Sequence, residues 1–168
     1  MKIPLANRIR LTPFTAECVE RTFAWVSHQA LRRAFLIRGE LTRMAHESYF
    51  VRVLGDPAQR VYAILCDGEH VGNCGFKHLD SGSGEGELWI YLGEPVVRGK
   101  GIGEAATRLL LREGTERLGL RRIYAHVAED NEPARRLYRR VGFVEAGAGG
   151  AEWEGRGVIR MIWEKESA

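Results

Sequence analysis

Three glycines fall within five residues of the segment Val97-Arg98-Gly99-Lys100-Gly101-Ile102-Gly103-Glu104, the part of this chain best suited to hold a ligand. Glycines let a backbone approach a bound group closely, and a helix begun here presents unpaired amides and the positive end of its dipole. Together these features make a cradle for a pyrophosphate. A tight strand-to-helix connection would also use glycine for turn geometry, but such a density of glycines argues for more than that. Gly101-Ile102-Gly103-Glu104-Ala105-Ala106 also satisfies the dinucleotide fingerprint G-x-G-x-x-A, with Glu129 and Asp130 near the distance of a ribose-binding acid. A dinucleotide oxidoreductase fold needs further strand-helix units, however, and only 38 residues follow Asp130, room for one helix and a strand or two. A Walker A loop fails sooner, because no Gly-Lys-Ser/Thr occurs.

Such a turn needs a strand before it and a helix after it. Glu85 to Leu92 alternates in period two, with Glu87, Trp89 and Tyr91 on one face and Leu88, Ile90 and Leu92 on the other, and reads as that strand. From Ile102 the spacing turns helical: Ala105, Ala106, Leu109 and Leu110 share a face, and Gly119 supplies a stop. Upstream, Val61 to Cys66 and Val71 to Phe76 are apolar runs rich in β-formers, and Asp67-Gly68 between them is a strong hairpin signal. A three-strand antiparallel meander follows. Arg8 to Leu11 reads as a first strand, Thr15 caps a helix over about 16–27, and Thr42 with Met44, Tyr49, Phe50 and Val53 fits another helix beyond the break at Gly39.

Downstream, Arg121 to Ala128 is a strand and Asn131 an N-cap. Pro133 is tolerated in a first turn, and Ala134, Leu137, Tyr138 and Val141 share one face of a short amphipathic helix that ends before Gly142. A glycine-rich connection, Gly147 to Gly150, leads to a last strand over Val158 to Trp163. The order combines a meander with a strand-helix-strand crossover. It predicts an α+β fold, a mixed, mostly antiparallel central sheet of six to seven strands with helices on both faces, forming one domain over residues 1–168.

Composition narrows the function classes. At 168 residues, with 45% hydrophobic and 28% charged residues, the chain is an ordinary globular domain. No apolar window approaches the roughly 18 residues of a membrane span, and the start lacks a signal-peptide core, so a cytoplasmic location without membrane contact is expected. Cys18, Cys66 and Cys74 are odd in number and form no Cys-x-x-Cys pair, so neither a metal site nor a disulfide scaffold is expected. Arginines recur in pairs (Arg32-Arg33, Arg121-Arg122, Arg135-Arg136, Arg139-Arg140), but the net charge is only +3 and base-stacking aromatics are not interleaved with them. Solvated faces are the reading, not a nucleic-acid surface. A compact phosphate-bearing ligand is compatible with this charge.

Two motifs in order carry a resemblance. Arg98-x-x-Gly101-x-Gly103, preceded by Pro95, resembles the Q/R-x-x-G-x-G/A motif of the GNAT superfamily of acetyl-CoA-dependent N-acyltransferases. Asn131-x-x-Ala134-x-x-Leu137-Tyr138-x-x-x-Gly142-Phe143 resembles that family's second motif at the expected separation. The likeness covers about residues 61–143 well and the ends more loosely. Ile90-Tyr91-Leu92-Gly93-Glu94-Pro95 is similar to the branch containing ribosomal-protein N-terminal, spermidine and nucleotide-sugar amine acetyltransferases. That branch often has an aromatic residue and a tryptophan where this chain has Val97-Arg98.

The resemblance implies acetyl-CoA as cosubstrate, no metal, and transfer of acetyl to a primary amine by direct attack in a ternary complex. It implies that Arg98 and the amides of Gly99, Lys100, Gly101, Ile102, Gly103 and Glu104 hold the pyrophosphate. Tyr91, Leu92 and Gly93 would pair with the pantetheine arm, and Asn131 and Ala134 would line it. Tyr138 takes the family's place for the acid that protonates the leaving thiolate. Two residues stand where relatives keep a base: His126, whose imidazole suits base chemistry near neutral pH, and Glu87 on the meander strand. Sequence leaves the choice between them open. The acceptor, a small molecule or a protein N-terminus, is expected against residues 25–38 and Glu152-Trp153, with Trp89 and Tyr91 as floor. A homodimer is expected from the family and from the apolar content of the last strand. The alternative is a catalytically silent acyl-CoA-binding module of the same fold.

Overall fold

The computed structural model describes residues 2–34, 36–39, 41–153 and 155–167, and only the backbone of 148–153. Seven strands form one sheet in the order β1-β2-β3-β4-β5-β7-β6. They are β1 (Ile9–Pro13), β2 (Arg60–Cys66), β3 (Glu69–Asp80), β4 (Glu85–Leu92), β5 (Arg122–Ala128), β6 (Val144–Trp153) and β7 (Arg156–Glu164). All neighbours are antiparallel except β4 and β5. That single parallel pair is bridged by α4 (Ile102–Arg112), so the topology is not the repeated strand-helix winding that the dinucleotide fingerprint requires.

Local chemistry explains most boundaries. Asp67 and Gly68 both take positive φ, 51° and 85°, the geometry of a two-residue hairpin that matches strand twist. Pro13 is accommodated because β1 is an edge strand, where a missing amide leaves no ladder partner empty. Thr42 caps α3 (Arg43–Leu54) by accepting from the Ala45 amide at 3.1 Å. Thr15 occupies the equivalent position before α1 (Ala16–Val26), but its hydroxyl meets Cys18 Sγ at 3.7 Å and caps no amide. The short α2 (Gln29–Ala34) lies between them, and α5 is Glu132–Arg140. The helix after the glycine turn widens into a π turn at Glu113–Arg117, and Gly119, at φ 68°, closes it.

Gly147 to Gly150 is not the connection expected from its composition. It lies inside β6, and the ladder to β7 slips between Glu145 and Ala148 and again between Ala148 and Glu152. Glycines with little side chain to pack permit those irregularities on an edge strand.

The sheet divides two apolar layers. Leu88 and Ile90 of β4 join Ile123, Ala125 and Val127 of β5 and Met161 of β7 beneath α4 and α5. On the other face Phe14, Phe50, Val53 and Val61 form one cluster, and Trp25, Val26, Leu31 and Tyr91 another, beneath α1 to α3. Val158 and Met161 of the last strand are core residues, and Ile159 and Trp163 pack against the core, so much of the strand's apolar content is already used within the domain. Among the described residues no helix is long and apolar enough to cross a membrane.

Phe76 sits at the centre of the first layer, fully buried, with its ring so close to Gly114 that a Cβ there would meet Cζ at 2.7 Å. Phe76→Ala should cost about 3–5 kcal/mol in urea unfolding, whereas Val51→Ser on the exposed face of α3 should stay within about 0.5 kcal/mol. Equal midpoints for the two variants would contradict this layering.

Candidate active site

The parallel strands β4 and β5 pair only at Glu85↔Arg122, Gly86↔Ile123 and Glu87↔Tyr124. Beyond that point β4 continues to Leu92 and β5 to Ala128, each still paired on its other side, so their facing edges part. The parted edges leave backbone amides and carbonyls without ladder partners from each other, which makes the gap receptive to an extended, amide-bearing ligand. A cavity of about 480 Å³ occupies it, lined by Leu88 to Leu92 on one side and by His126, Val127, Asn131, Ala134 and Tyr138 on the other.

The glycine turn forms one end of this cavity. Gly101 stands at the N-cap of α4 with φ 81°, a left-handed conformation that suits glycine, and no side chain caps the helix. The first-turn amides are therefore available to an anion. Gly99 also has positive φ, and a Cβ there would point into open space. Gly103 is glycine for packing: a Cβ would come within 2.9 Å of Leu137 Cδ1, where α4 crosses α5. Arg98, Arg136 and Arg140 line this end, and Arg98 Nη2 donates to the Leu92 carbonyl at 3.1 Å. The Glu104 carboxylate, which opposes an anion, is met by Arg108 at 3.0 Å and Arg140 at 3.3 Å, and the hydrogen bond from Arg108 is the largest influence holding it below its ordinary value.

The other end holds the titratable groups. Glu87 is 6% exposed and accepts from His126 Nδ1 at 3.0 Å, with Lys77 Nζ at 3.4 Å and His78 Nε2 at 3.6 Å. Burial pushes its carboxyl up, but the His126 hydrogen bond and the charges of Lys77, His126 and His78 outweigh burial and hold it below the usual carboxylate value. An ionised carboxylate only accepts, so Nδ1 is the His126 nitrogen that carries the hydrogen towards Glu87, and Nε2 is the nitrogen left for another partner. Tyr138 is 5% exposed, packs its ring on Phe143 and lines the cavity. Its hydroxyl has no hydrogen-bond partner among the described residues, and burial, with Glu87 and Cys74 nearby, pushes its pKa up, so it keeps its proton at neutral pH.

A depressed carboxyl stabilises the fold above its unfolded value of about 4.3 and stops doing so as pH falls through the lower folded value. Glu87→Gln should therefore be less stable than the parent near pH 6, with the difference shrinking towards pH 3. Chemical denaturation at several pH values checks this; a gap constant across that range would count against the charged Glu87.

Of the residues singled out in sequence, Glu87, His126 and Tyr138 line one cavity with Tyr91, Leu92, Arg98, Gly99, Gly101, Gly103, Glu104, Asn131 and Ala134. Gly93, Lys100 and Ile102 do not line it. Ile102 is a buried core residue, and Gly93 is glycine because a Cβ would lie 1.9 Å from Trp25 Cδ2. Trp25, expected to line an acceptor pocket, instead lies buried under Gly93, with Nε1 donating to Glu94 at 3.0 Å. From the segment 25–38, Ala34 and Leu36 reach the cavity, and Trp89 and Tyr91 floor it. The side chains of Glu152 and Trp153 lie outside the described residues. Asn131 acts twice: its oxygen caps α5 at the Ala134 amide, 3.3 Å, and its Nδ2 donates to the Ala34 carbonyl at 3.0 Å, tying the end of α2 over the gap. Sequence reasoning missed Lys77, whose place beside Glu87 follows from the β3–β4 register Lys77↔Glu87. It also missed Arg136 and Arg140, read as solvated helix face.

Comparison with known proteins supplies the family. The model of the acetyltransferase (GNAT) domain matches residues 8–144. Spermidine N(1)-acetyltransferase of Escherichia coli (strain K12) is 23% identical over 141 residues, covering 84% of this chain and 75% of the relative. Alpha/beta-tubulin-N-acetyltransferase 9 of Homo sapiens is 27% identical over 154 residues, covering 83% and 73%. In fold, the spermidine N-acetyltransferase from Vibrio cholerae in complex with CoA and spermine matches with a TM-score of 0.86 at 20% identity, over 94% of this chain and 96% of that one. With the domain match running from the residue before β1 to the first residue of β6, over parted strands and a glycine turn, the chain belongs to the GNAT acetyltransferase family and is an N-acetyltransferase.

Proposed function

We propose that the enzyme transfers acetyl from acetyl-CoA to a primary amine by direct attack, with both substrates bound together in the gap between β4 and β5. The observation that carries this is the Glu87–His126 pair at one end of a cavity whose other end is an uncapped, glycine-started helix. Bound acetyl-CoA would supply an acetyl group already activated as a thioester.

The chain's own residues do the rest. The amides at the start of α4, with Arg98, Arg136 and Arg140, hold the diphosphate, and the free edge of β4 orients the amide-bearing arm. Glu87 orients His126, and Nε2 takes the proton of the attacking amine. This division of labour suits the burial of the two groups, since the His126 side chain is 27% exposed and that of Glu87 only 8%. Tyr138 holds a proton for the departing sulfur. Trp89 and Tyr91 with Leu36 shield the reacting end from water. A small amine is favoured as acceptor by the enclosed gap and by the small-amine substrates named for two of the relatives above. A homodimer in the cytoplasm remains part of the reading.

Gly99→Glu should weaken acetyl-CoA binding strongly, because a side chain there extends from the cavity lining into open space and brings a carboxylate beside the phosphates. Calorimetry on the folded variant checks it, and undiminished affinity would remove the turn from the site. Tyr138→Phe should keep acetyl-CoA binding while lowering turnover by about 10²–10⁴-fold, the usual worth of a general acid. Parent-like turnover, under conditions where chemistry limits the rate, would return Tyr138 to a packing role.

A further inference from the structure

The chain carries its basic charge almost wholly as arginine: of 25 lysines and arginines only Lys2, Lys77, Lys100 and Lys165 are lysines. Lys2, Lys100 and Lys165 are exposed, and none of the three lines the cavity. Among the described residues, every ion pair between a lysine or arginine and a carboxylate is made by an arginine, apart from one. The exception is Lys77, whose Nζ stands 3.4 Å from Glu87 Oε1, the same oxygen that His126 Nδ1 meets at 3.0 Å. An arginine would serve a purely structural pair better, since its planar fork offers a carboxylate two parallel hydrogen bonds. What lysine has and arginine lacks is a nitrogen that can give up its proton and act as a nucleophile.

Position points the same way. Lys77 and Glu87 face each other in the β3–β4 ladder, so both side chains lie on the sheet face that carries Trp89 and Tyr91, and all four line the cavity with His126 and Tyr138. The Lys77 side chain is only part-exposed, and its flexible four-carbon stem can move the amine along the cavity while the backbone stays in the sheet. A primary amine is thus built into the wall of a site that acetylates primary amines. Resting on the reading that transfer takes place beside Glu87 and His126, we propose that Lys77 is itself an acceptor, a self-acetylation site that fills when no other amine occupies the cavity. The Lys77 ammonium yields one proton to the Glu87–His126 pair, which passes it to solvent. Its freed lone pair forms the N–C bond to the acetyl carbonyl, the C–S bond breaks with its electrons left on sulfur, and sulfur takes a proton from Tyr138, restored by the second proton that nitrogen loses. The products are an acetyl-lysine amide and free CoA. The amide removes one of the cations that meet Glu87 and occupies the cavity, so it brakes the enzyme when acetyl-CoA is abundant and amine is scarce.

The test is to incubate the full chain with excess acetyl-CoA and no amine, following acetyl uptake by intact mass and by peptide mapping before and after. Lys77 should gain one acetyl group at least about 100-fold faster than Lys2, Lys100 or Lys165, the advantage of a positioned nucleophile beside proton-transferring groups. Tyr138→Phe should slow that uptake by about 10²–10⁴-fold, and His126→Ala should slow it as well. Lys77→Arg, which keeps a cation beside Glu87, should remove the uptake from the intact mass. An amine that the enzyme acetylates should suppress it by competition, and turnover of that amine should fall in proportion to the fraction of Lys77 already acetylated. Lys77 modified no faster than the three exposed lysines, or at a rate that neither Tyr138→Phe nor His126→Ala changes, would overturn the inference, since acetyl-CoA slowly modifies any lysine in solution. Full acetylation that leaves turnover untouched would overturn the brake. These results would spare the amine-transfer reading, which thiol release with free amines tests separately in the same protein; no thiol release with any amine, together with an unmodified Lys77, would defeat both. If Lys77→Arg does not fold, the peptide maps of the parent, Tyr138→Phe and His126→Ala decide the matter.

Discussion

The parting of β4 from β5 after Glu87↔Tyr124 is the constraint on which the rest of the molecule depends. Opening a ladder in the middle of a sheet leaves backbone groups without partners, and the fold tolerates this only because each strand keeps its other neighbour. The β4 ladder to β3 runs on to Leu92↔Gly72, and the β5 ladder to β7 to Ala128↔Val158. Gly72 is part of that arrangement, since a Cβ there would lie 2.4 Å from the Tyr91 carbonyl oxygen. On the helix side, Trp25 fills the space under Gly93 and is held by Glu94, which Arg21 also meets at 3.0 Å. The end of β4 is therefore braced from below, and the glycine turn that follows it is delivered to the mouth of the gap.

A buried polar network sets the floor. Asn73 Nδ2 donates to Thr22 Oγ1 at 2.8 Å and to Tyr91 Oη at 2.9 Å, while Asn73 Oδ1 is joined to His70 Nε2 at 2.7 Å. Thr22 and Asn73 are fully buried, so every one of these bonds is needed to offset desolvation. Burial is the main reason the His70 pKa is lowered, which keeps the network neutral. The network ties α1 to β3 and β4, so the helical layer and the strand that edges the gap are registered against each other through side chains, not only through the sheet.

Much of this was legible in sequence because the responsible signals are local. Alternation over Glu85 to Leu92 sets which residues face which layer, Asp67-Gly68 marks the hairpin, and the two glycine- and asparagine-started helices announce their own N-termini. Six of the seven strands, all but β6, and the helices on both faces follow from such signals. What stayed hidden depends on contacts distant in sequence. Whether Glu87 or His126 was the base looked like a choice between residues 39 apart, and only the meeting of β4 and β5 makes them one unit. Composition also misled where backbone pairing overrode it: the glycines of 147–150 read as a loop and form an irregular strand. Trp25 read as pocket lining because an aromatic residue carries no sequence mark of the glycine it will cover.

The two halves of the site are specified by different kinds of atoms. At the glycine-turn end the groups offered to the cavity are backbone amides and carbonyls, positioned by a parted ladder and a helix start, and any sequence that keeps the glycines and the fold keeps them. A relative at 20% identity shares the fold with a TM-score of 0.86 across 94% of the chain, so the fold survives the replacement of most side chains. At the other end the groups are side chains, Lys77, Glu87 and His126, on strand positions where one substitution changes the local charge without disturbing the sheet. Fold likeness consequently carries the backbone geometry of the gap from relative to relative much further than it carries the side chains around Glu87. What is particular to this chain therefore resides in the side chains around Glu87, where Lys77 and His126 meet one buried carboxylate, and not in the backbone of the gap.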